Sequence, residues 1–378
     1  MSMKLVAVAK LLPTPEQSGS LLATVERINA ACNWLAERAF EGQTANKFTL
    51  HHLYYHSLRD LFGLSAQMAV RAIAKVCEVY KRDRRTQPHF KPHGAVVYDQ
   101  RIMSFKVPDR VSLLTLVGRI VVPFVSGTYH HARLEEVRGQ ADLVFRRNKW
   151  FLYVSVEVVE AAPIDPRGWL GVDLGIRNLA VDSDGEPYTG VGVETVRQRM
   201  QRLRTTLQSV GTKSAKRHLH RLSGHEARFR SSVNHTISKR IVAKAKDTGR
   251  GIAVEDLTGI RERTTVRKSQ RAMHGGWAFF QLRSFVGYKS VVAGVPVVLV
   301  DPRNTSRECP ICHHIDKRNR KSQSEFRCVA CDYAANADWV GARNIAARAA
   351  VNRPLVAGIG RETHSCESSL SLAASPSL

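Results

Sequence analysis

A chain of 378 residues, 43% hydrophobic and 24% charged, is long enough for two or three domains with a sizeable core and too apolar to be largely disordered. Its 57 Lys and Arg against 33 Asp and Glu leave a net charge of +24, far more than solubility alone requires, and such a field selects polyanions, nucleic acid foremost. No apolar run approaches the ~20 residues that span a bilayer, the opening MSMKLVAVAKLLPTPE turns polar too soon for a signal peptide, and seven cysteines, four of them in two CxxC pairs, suit a metal in a reducing cytoplasm better than a disulfide framework.

Residues 3–12 (MKLVAVAKLL) read as a strand closed by Pro13 and Pro15. Leu21, Leu22, Val25, Ile28, Cys32, Leu35 and Phe40 then recur at three- and four-residue steps, which draws one apolar helical face. A second helix, capped by Thr49, is expected to end before Gly63. A third, capped by Ser65, carries the stripe Val70, Ile73, Cys77 and Tyr80. Cys32 and Cys77 fall on these stripes and read as core residues, not ligands. The run KRDRR at 81–85 closes the helical part as a solvated or phosphate-facing end. From about 88 to 160 the pattern changes to short β-prone runs (AVVYD, RIMSFKV, SLLTLV, RIVVPFV, DLVFRR, WFLYVSVEVV), with a hairpin tip at Arg147-Asn148-Lys149. The simplest topology is a β-barrel with a small helical bundle inserted after its first strand, followed by a linker at Pro163 and Pro166.

Next comes GVDLGIRNLAVDSDG, residues 171–185, in which Asp173 interrupts an apolar run. Asp184-Gly185 predicts a hairpin turn, with Asp182 and Asp184 at the surface. Residues 196–250 are strongly basic. Arg197, Arg199, Arg202, Arg204, Lys213, Lys216, Arg217, Arg221, Arg228, Arg230, Lys239, Arg240, Lys244, Lys246 and Arg250 face only Glu226 and Asp247 within the segment. Leu203, Leu207, Leu219, Leu222, Phe229, Val233, Ile237 and Ile241 thread through at helical spacing, giving helices with one core face and one basic face. Cations so closely spaced repel unless phosphates neutralise them.

A second strand-like run, GIAVEDL at 251–257, again carries acids after apolar residues. Alternation along a strand lets only one of Glu255 and Asp256 face a given site. Asp338 opens a helix in NADWVGARNIAARAA, with Asn336 as its expected cap. Two acids at strand ends and one on a helix can converge at one sheet edge. Unpaired in a low-dielectric cleft they would repel, a conflict that Mg²⁺, or Mn²⁺ in its place, resolves by taking carboxylate oxygens and bridging phosphates. Two such ions can activate water against a phosphodiester. Cys309, Cys312, Cys328 and Cys331 form CxxC-x15-CxxC, a closed tetrahedral thiolate set suited to structural zinc. His313 and His314 are surplus and expected at the surface. The aromatics Trp277, Phe279, Phe280 and Tyr288 are expected mostly in the core, and the Ser/Ala-rich tail from about 352, with Cys366, to be disordered.

GVDLGIRNLAV, then AVEDL, then a cysteine ribbon closed by CxxCxY and followed by NAD…ARNIA, is an order that resembles the TnpB family, the OrfB proteins of insertion sequences and ancestors of the type V CRISPR effectors. Asn234, His235, Ile237, Ser238, Tyr288-Lys289 and Thr305-Ser306 match as well. The specific likeness covers residues 169–347; before that only the order of strand, helices and barrel agrees. The resemblance implies a multidomain α/β and β fold. Its N-terminal wedge barrel (1–15 and 87–165) would hold an inserted recognition bundle (16–86). An RNase H-like RuvC nuclease (166–304 and 335–350) would be interrupted by a zinc ribbon (305–334), with a tail at 351–378. It implies Asp173, Glu255 and Asp338 as the catalytic metal-binding triad, a guide RNA and target DNA as partners, a prokaryotic cytoplasmic setting near the nucleoid, and RNA-guided cleavage beside a short motif read by the protein. A small type V effector, a nuclease-inactive regulator and a DNA transposase are the alternatives. Two departures stand out: Trp339-Val340-Gly341 where relatives carry a smaller residue and often Asn, and fewer Lys and Arg in the basic helices than in many relatives.

Overall fold

The computed structural model describes residues 2–106, 108–134, 139–175, 178–189, 193–256, 279–322 and 324–351. These form two compact units that divide after Val159. No helix among the described residues is long and apolar enough to cross a membrane.

In the first unit, β1 (Ser2–Leu11) leads into three helices, α1 (Pro15–Glu41), α2 (Lys47–Phe62) and α3 (Ala66–Arg82). Thr14 and Gln17 form a reciprocal capping box that opens α1 at Pro15, and the Ser65 hydroxyl accepts from the Met68 N–H at the start of α3. Thr49 does not cap α2. Asn46 does, its Oδ1 accepting from the Phe48 and Thr49 N–H groups, because an Asn three residues upstream already offers the acceptor that the first turn needs. Gly63 stops that helix at φ +62°. Leu21, Val25, Ile28, Cys32 and Leu35 of α1 share one core with Ile73, Val76, Cys77 and Tyr80 of α3. Burial pushes the Cys32 thiol up to about 11. Phe40, in the last turn of α1, stays 40% exposed.

Six further strands complete the unit: β2 (Val96–Tyr98), β3 (Met103–Lys106), β4 (Arg110–Thr115), β5 (Gly118–Val125), β6 (Ala141–Arg146) and β7 (Lys149–Val159), with a short helix α4 (Thr128–Leu134) between β5 and β6. With β1 they form one antiparallel sheet in the order β2-β6-β7-β1-β5-β4-β3. Its outer strands β2 and β3 are successive in sequence. Across the seam the Tyr98 hydroxyl of β2 donates to Leu114 O of β4 at 2.9 Å. The sheet therefore curls into a nearly closed barrel. Arg147 and Asn148, at φ 53° and 57°, make the tight tip joining β6 to β7.

The second unit is built on a four-stranded sheet in the order β11-β10-β8-β9. β8 (Trp169–Asp173), β10 (Gly251–Glu255) and β11 (Val297–Val300) run parallel, and β9 (Val181–Asp182) is an antiparallel edge. Between β9 and β10 come α5 (Val193–Val210) and α6 (Lys213–Asp247); α7 (Phe279–Ala293) precedes β11 and α8 (Ala337–Val351) ends the described chain. Parallel strands covered on both faces are apolar on both. Leu170, Val172, Ile252 and Val254 pack on Ile237 and Ile241 of α6 and Leu282 and Val286 of α7. Ala253, Val298 and Val300 pack on Ile345 and Ala349 of α8. Residues 301–336 form a small ribbon around the pair β12 (Glu325–Arg327) and β13 (Ala334–Asn336).

Candidate active site

Strand parity puts the acids on one face. Along β8, Leu170 and Val172 point to α6 and α7, so Gly171 and Asp173 point to α8. Along β10, Ile252 and Val254 do the same and leave Ala253 and Glu255 facing α8. Val172 pairs with Val254, which leaves Asp173 and Glu255 adjacent at the carboxyl ends of neighbouring parallel strands, where open α/β sheets place their sites. Gly171 lets α8 come close. A Cβ there would stand 2.0 Å from Ala342 O and 2.6 Å from the Ala346 nitrogen. Further along the helix, a Cβ on Gly341 would lie 3.1 Å from Asp173 Oδ2. Asp338 stands one turn before Gly341 on the same side of α8 and completes the cluster.

The electrostatics record the crowding. Glu255 and Asp338 are each only 8% exposed. Burial, then the Glu255 and Asp338 carboxylates, push Asp173 up to about 8, against the opposing pull of Arg320. Burial also raises Glu255, offset by the Thr305 hydroxyl, Arg348 and Arg320. Three carboxylates crowded in this way are hard oxygen donors whose repulsion a divalent cation would relieve, so the residues present fit Mg²⁺ or Mn²⁺. Asp256 takes the opposite face and pairs with Arg283 at 2.9 Å.

Several residues support the acids in ways that the sequence does not announce, although Asn178, Thr305 and Asn344 lie in segments that carry the family resemblance. Asn178 donates to Asp338 Oδ2 at 2.9 Å, and Arg320, from the ribbon, comes within 3.7 Å of Asp338 Oδ1. The Thr305 hydroxyl donates to Glu255 Oε1 and is held by Asn344, which donates to Thr305 O at 2.7 Å and to Glu308 O at 2.8 Å. Asn178 falls within the GVDLGIRNLAV motif, whereas nothing local marks Arg320. Asn336 caps α8 as expected, accepting from the Asp338 and Trp339 N–H groups.

The β9 turn corrects one expectation. Asp182 is fully buried, not a surface residue. Its carboxylate accepts from the Tyr188 hydroxyl at 2.9 Å, from Lys244 Nζ at 2.5 Å and from the Asp184 and Glu186 N–H groups. Asp184 is the exposed turn residue and forms two hydrogen bonds with Arg250, at 2.8 and 2.6 Å. Asp182, Asp184 and Glu186 thus neutralise part of the basic segment from outside it, since Arg240 also pairs with Glu186 at 2.5 Å. Arg204 pairs with Glu226. Arg199, Arg202, Lys213, Lys216, Arg217, Arg221, Arg228 and Lys239 are exposed along α5 and α6, while Arg230 is half-buried. The side chain of Arg197 lies outside the described residues. Leu203 is 37% exposed, because α5 packs on α6 at the edge of the unit and not on the sheet. Phe280, expected in the core, is 65% exposed, for it lies on the side of α7 opposite the buried Leu282. Tyr288 is half-buried, with its hydroxyl 3.4 Å from His235 Nδ1. Trp277, the side chain of Phe279 and the tail with Cys366 lie outside the described residues.

The four cysteine sulfurs lie within 4.8 Å of one another, with Cys309–Cys331 at 3.6 Å and Cys312–Cys328 at 3.5 Å. A tetrahedron with metal–sulfur bonds of ~2.3 Å has edges of about 3.8 Å, so the cluster is compatible with structural zinc. The two knuckles repeat one design. His313 and Asp332, each following the second cysteine of its pair, are left-handed at φ 57° and 56°. The Cys309 and Cys328 N–H groups donate to His314 O and Tyr333 O. His313 points outward to Glu308 at 3.2 Å and is 73% exposed.

Residues 153–260 match the family model of the OrfB probable transposase of IS605-type elements, and residues 279–345 match the Cas12f1-like TNB domain. In these segments the chain is similar to the OrfB (TnpB) family. Over 67% of its length it is 32% identical to the CRISPR-associated endodeoxyribonuclease Cas12f1 of Sulfoacidibacillus thermotolerans, of which it spans 64%. Over 77% it is 27% identical to the putative RNA-guided DNA endonuclease InsQ of Escherichia coli K12, of which it spans 75%. Its fold resembles Cas12f1 in a complex with sgRNA and target DNA (TM-score 0.57, 13% identity, 86% of this chain and 82% of that one). CasPhi-2 (Cas12j) bound to crRNA is similar at TM-score 0.57 and 10% identity, over 94% of this chain and 99% of that one.

The family departure at Trp339 has a structural counterpart. The Trp339 indole N–H donates to Ser183 O at 2.9 Å in the β9 turn. A Cβ on Gly185 would lie 3.6 Å from its ring nitrogen. In this chain the residue after the third acid therefore ties α8 to the edge of the sheet.

Proposed function

We propose that the chain is an RNA-guided, Mg²⁺-dependent DNA endonuclease whose second unit is a RuvC-like nuclease of RNase H type. The observation that carries this reading is the convergence of Asp173, Glu255 and Asp338 on one face at the carboxyl ends of β8 and β10. These acids would hold the divalent ions, which supply an activated water and charge neutralisation for phosphodiester hydrolysis. Thr305 and Asn178 orient the Glu255 and Asp338 carboxylates, and Arg320 brings a positive charge to the same cleft. The exposed cations of α5 and α6 would follow the nucleic-acid backbone, and the ribbon would hold zinc for structure, since its four thiolates leave no open coordination position. In the first unit the barrel corresponds to a wedge and the inserted helices to a recognition bundle. Guide RNA and target DNA are the partners, base pairing supplies sequence choice, and the protein reads a short adjacent motif.

The test uses the protein purified with its co-expressed RNA. A plasmid matching the guide is expected to be cut in Mg²⁺ by the wild type and left intact by Asp173→Ala, Glu255→Gln and Asp338→Ala. Cleavage that persists in Asp173→Ala removes the triad. A guide taken from a CRISPR array is the second reading, favoured by the Cas12f1 relative, and sequencing the copurified RNA separates a transposon-end guide from a repeat-derived one. All three acids are present, which argues against a nuclease-inactive regulator.

A further inference from the structure

Trp339 immediately follows Asp338 in the first turn of α8 and belongs to none of the buried core clusters. Its ring lies between the Gly185 turn and the Arg343 guanidinium, which stands 5.2 Å from the ring centroid. Its indole N–H donates to Ser183 O at 2.9 Å. Ser183 is itself bonded twice to β8: its N–H donates to Gly171 O at 2.8 Å, and its hydroxyl accepts from the Gly171 N–H at 3.2 Å. Gly171 is two residues before Asp173. A continuous path of hydrogen bonds thus joins the turn that carries Asp338 to the strand that carries Asp173.

The turn is a firm anchor. Beneath it the fully buried Asp182 collects the Tyr188 hydroxyl, Lys244 and two backbone N–H groups. Gly185, at φ +89°, supplies a backbone that other residues rarely adopt and leaves the indole room. A smaller apolar side chain at 339 could neither span this gap nor donate.

From this we infer that Trp339 is a positioning residue, a latch that holds the first turn of α8 against the β9 turn and fixes the place of Asp338 opposite Asp173. The inference rests on the proposed metal-dependent reading of the three acids. Three carboxylates without a cation push one another apart, and a helix terminus is the part of α8 most easily displaced. A metal site tolerates about 0.5 Å of misplacement. The latch therefore lowers the metal concentration at which the cluster fills, because the acids are already assembled.

Mn²⁺ is the probe, titrated calorimetrically into the full chain without nucleic acid. Trp339→Phe keeps the ring and removes only the N–H donor. Loss of one hydrogen bond predicts an increase in the Mn²⁺ dissociation constant of about five- to tenfold. The Mn²⁺ concentration for half-maximal plasmid cleavage by the RNA complex should shift by the same factor, with the deficit closing as metal is raised. Ser183→Ala, which cuts the hydroxyl bond to Gly171, should shift both in the same direction by a smaller factor. A purely structural role would lower the melting temperature and leave the dissociation constant of the folded fraction unchanged. That result, or an unchanged constant in both variants, overturns the latch. Wild type and Asp173→Ala binding Mn²⁺ alike would instead overturn the metal site itself, and the latch with it.

Discussion

At Gly171 a single missing methyl group decides whether helix and strand can meet. A Cβ there would stand 2.0 Å from Ala342 O, with backbone on both sides and nothing flexible to yield. Gly171→Ala is therefore expected to cost upwards of about 3 kcal/mol, read as a lower denaturation midpoint. Gly341→Ala meets only the edge of the Asp173 carboxyl at 3.1 Å and should cost less stability than Gly171→Ala. Asp184 offers a pH test at the same scale. Hydrogen bonds from Arg250 hold its carboxyl down to about 2, below the ~3.9 of an unfolded chain. Its contribution is complete above pH ~4 and is lost as pH falls towards 2. The group is 40% exposed, so the effect is small, well under 1 kcal/mol after screening. The stability gap between wild type and Asp184→Asn should close over that window, and a gap constant with pH would contradict the pairing.

The ribbon and the sheet are the elements on which chemistry depends. Two matched knuckles with left-handed residues after each second cysteine bring four sulfurs close enough to share one metal. Chelation, or Cys309→Ser, is expected to lower the melting temperature of the chain and release one zinc per molecule, measured with a colorimetric chelator. Because Arg320 reaches the acid cluster from this ribbon, cleavage should fall along with it. Much of this level is legible in the residues alone. The CxxC spacing announces the knuckles, and alternation in GIAVEDL correctly leaves one acid of Glu255 and Asp256 for the α8 side. Sequence signals fail where partners beyond the local pattern decide. Asp182 looks like a turn residue because its main partner, Lys244, lies 62 positions away. Thr49 has the chemistry of a cap, but Asn46 has it too and comes first in the chain.

At the scale of the whole chain, a net charge of +24 is distributed unevenly between paired and open cations. Arg204, Arg240, Lys244 and Arg250 pair with carboxylates, whereas Lys213, Lys216, Arg217 and Arg221 stand exposed on α6. Replacing these four with Gln should weaken nucleic-acid binding uniformly across sequences. The slope of log affinity against log salt should become shallower by up to about 0.9 for each phosphate no longer neutralised. Arg240→Gln should alter it by less than one quarter of that change, and an equal change per residue would refute the distinction. The alternation of charge and apolar spacing reveals the helices, but not which cations are already engaged. The helix itself has a further consequence. α6 has 35 residues, a rod of about 52 Å at 1.5 Å per residue, yet between Lys213 and Val233 only Ala215 is fully buried, while Asn234, Ile237, Ser238, Ile241, Val242 and Ala245 anchor the other end. It is clamped at one end to the sheet and braced along the other by α5. Its amide protons should exchange faster at the end that only α5 covers than at the end seated on the sheet.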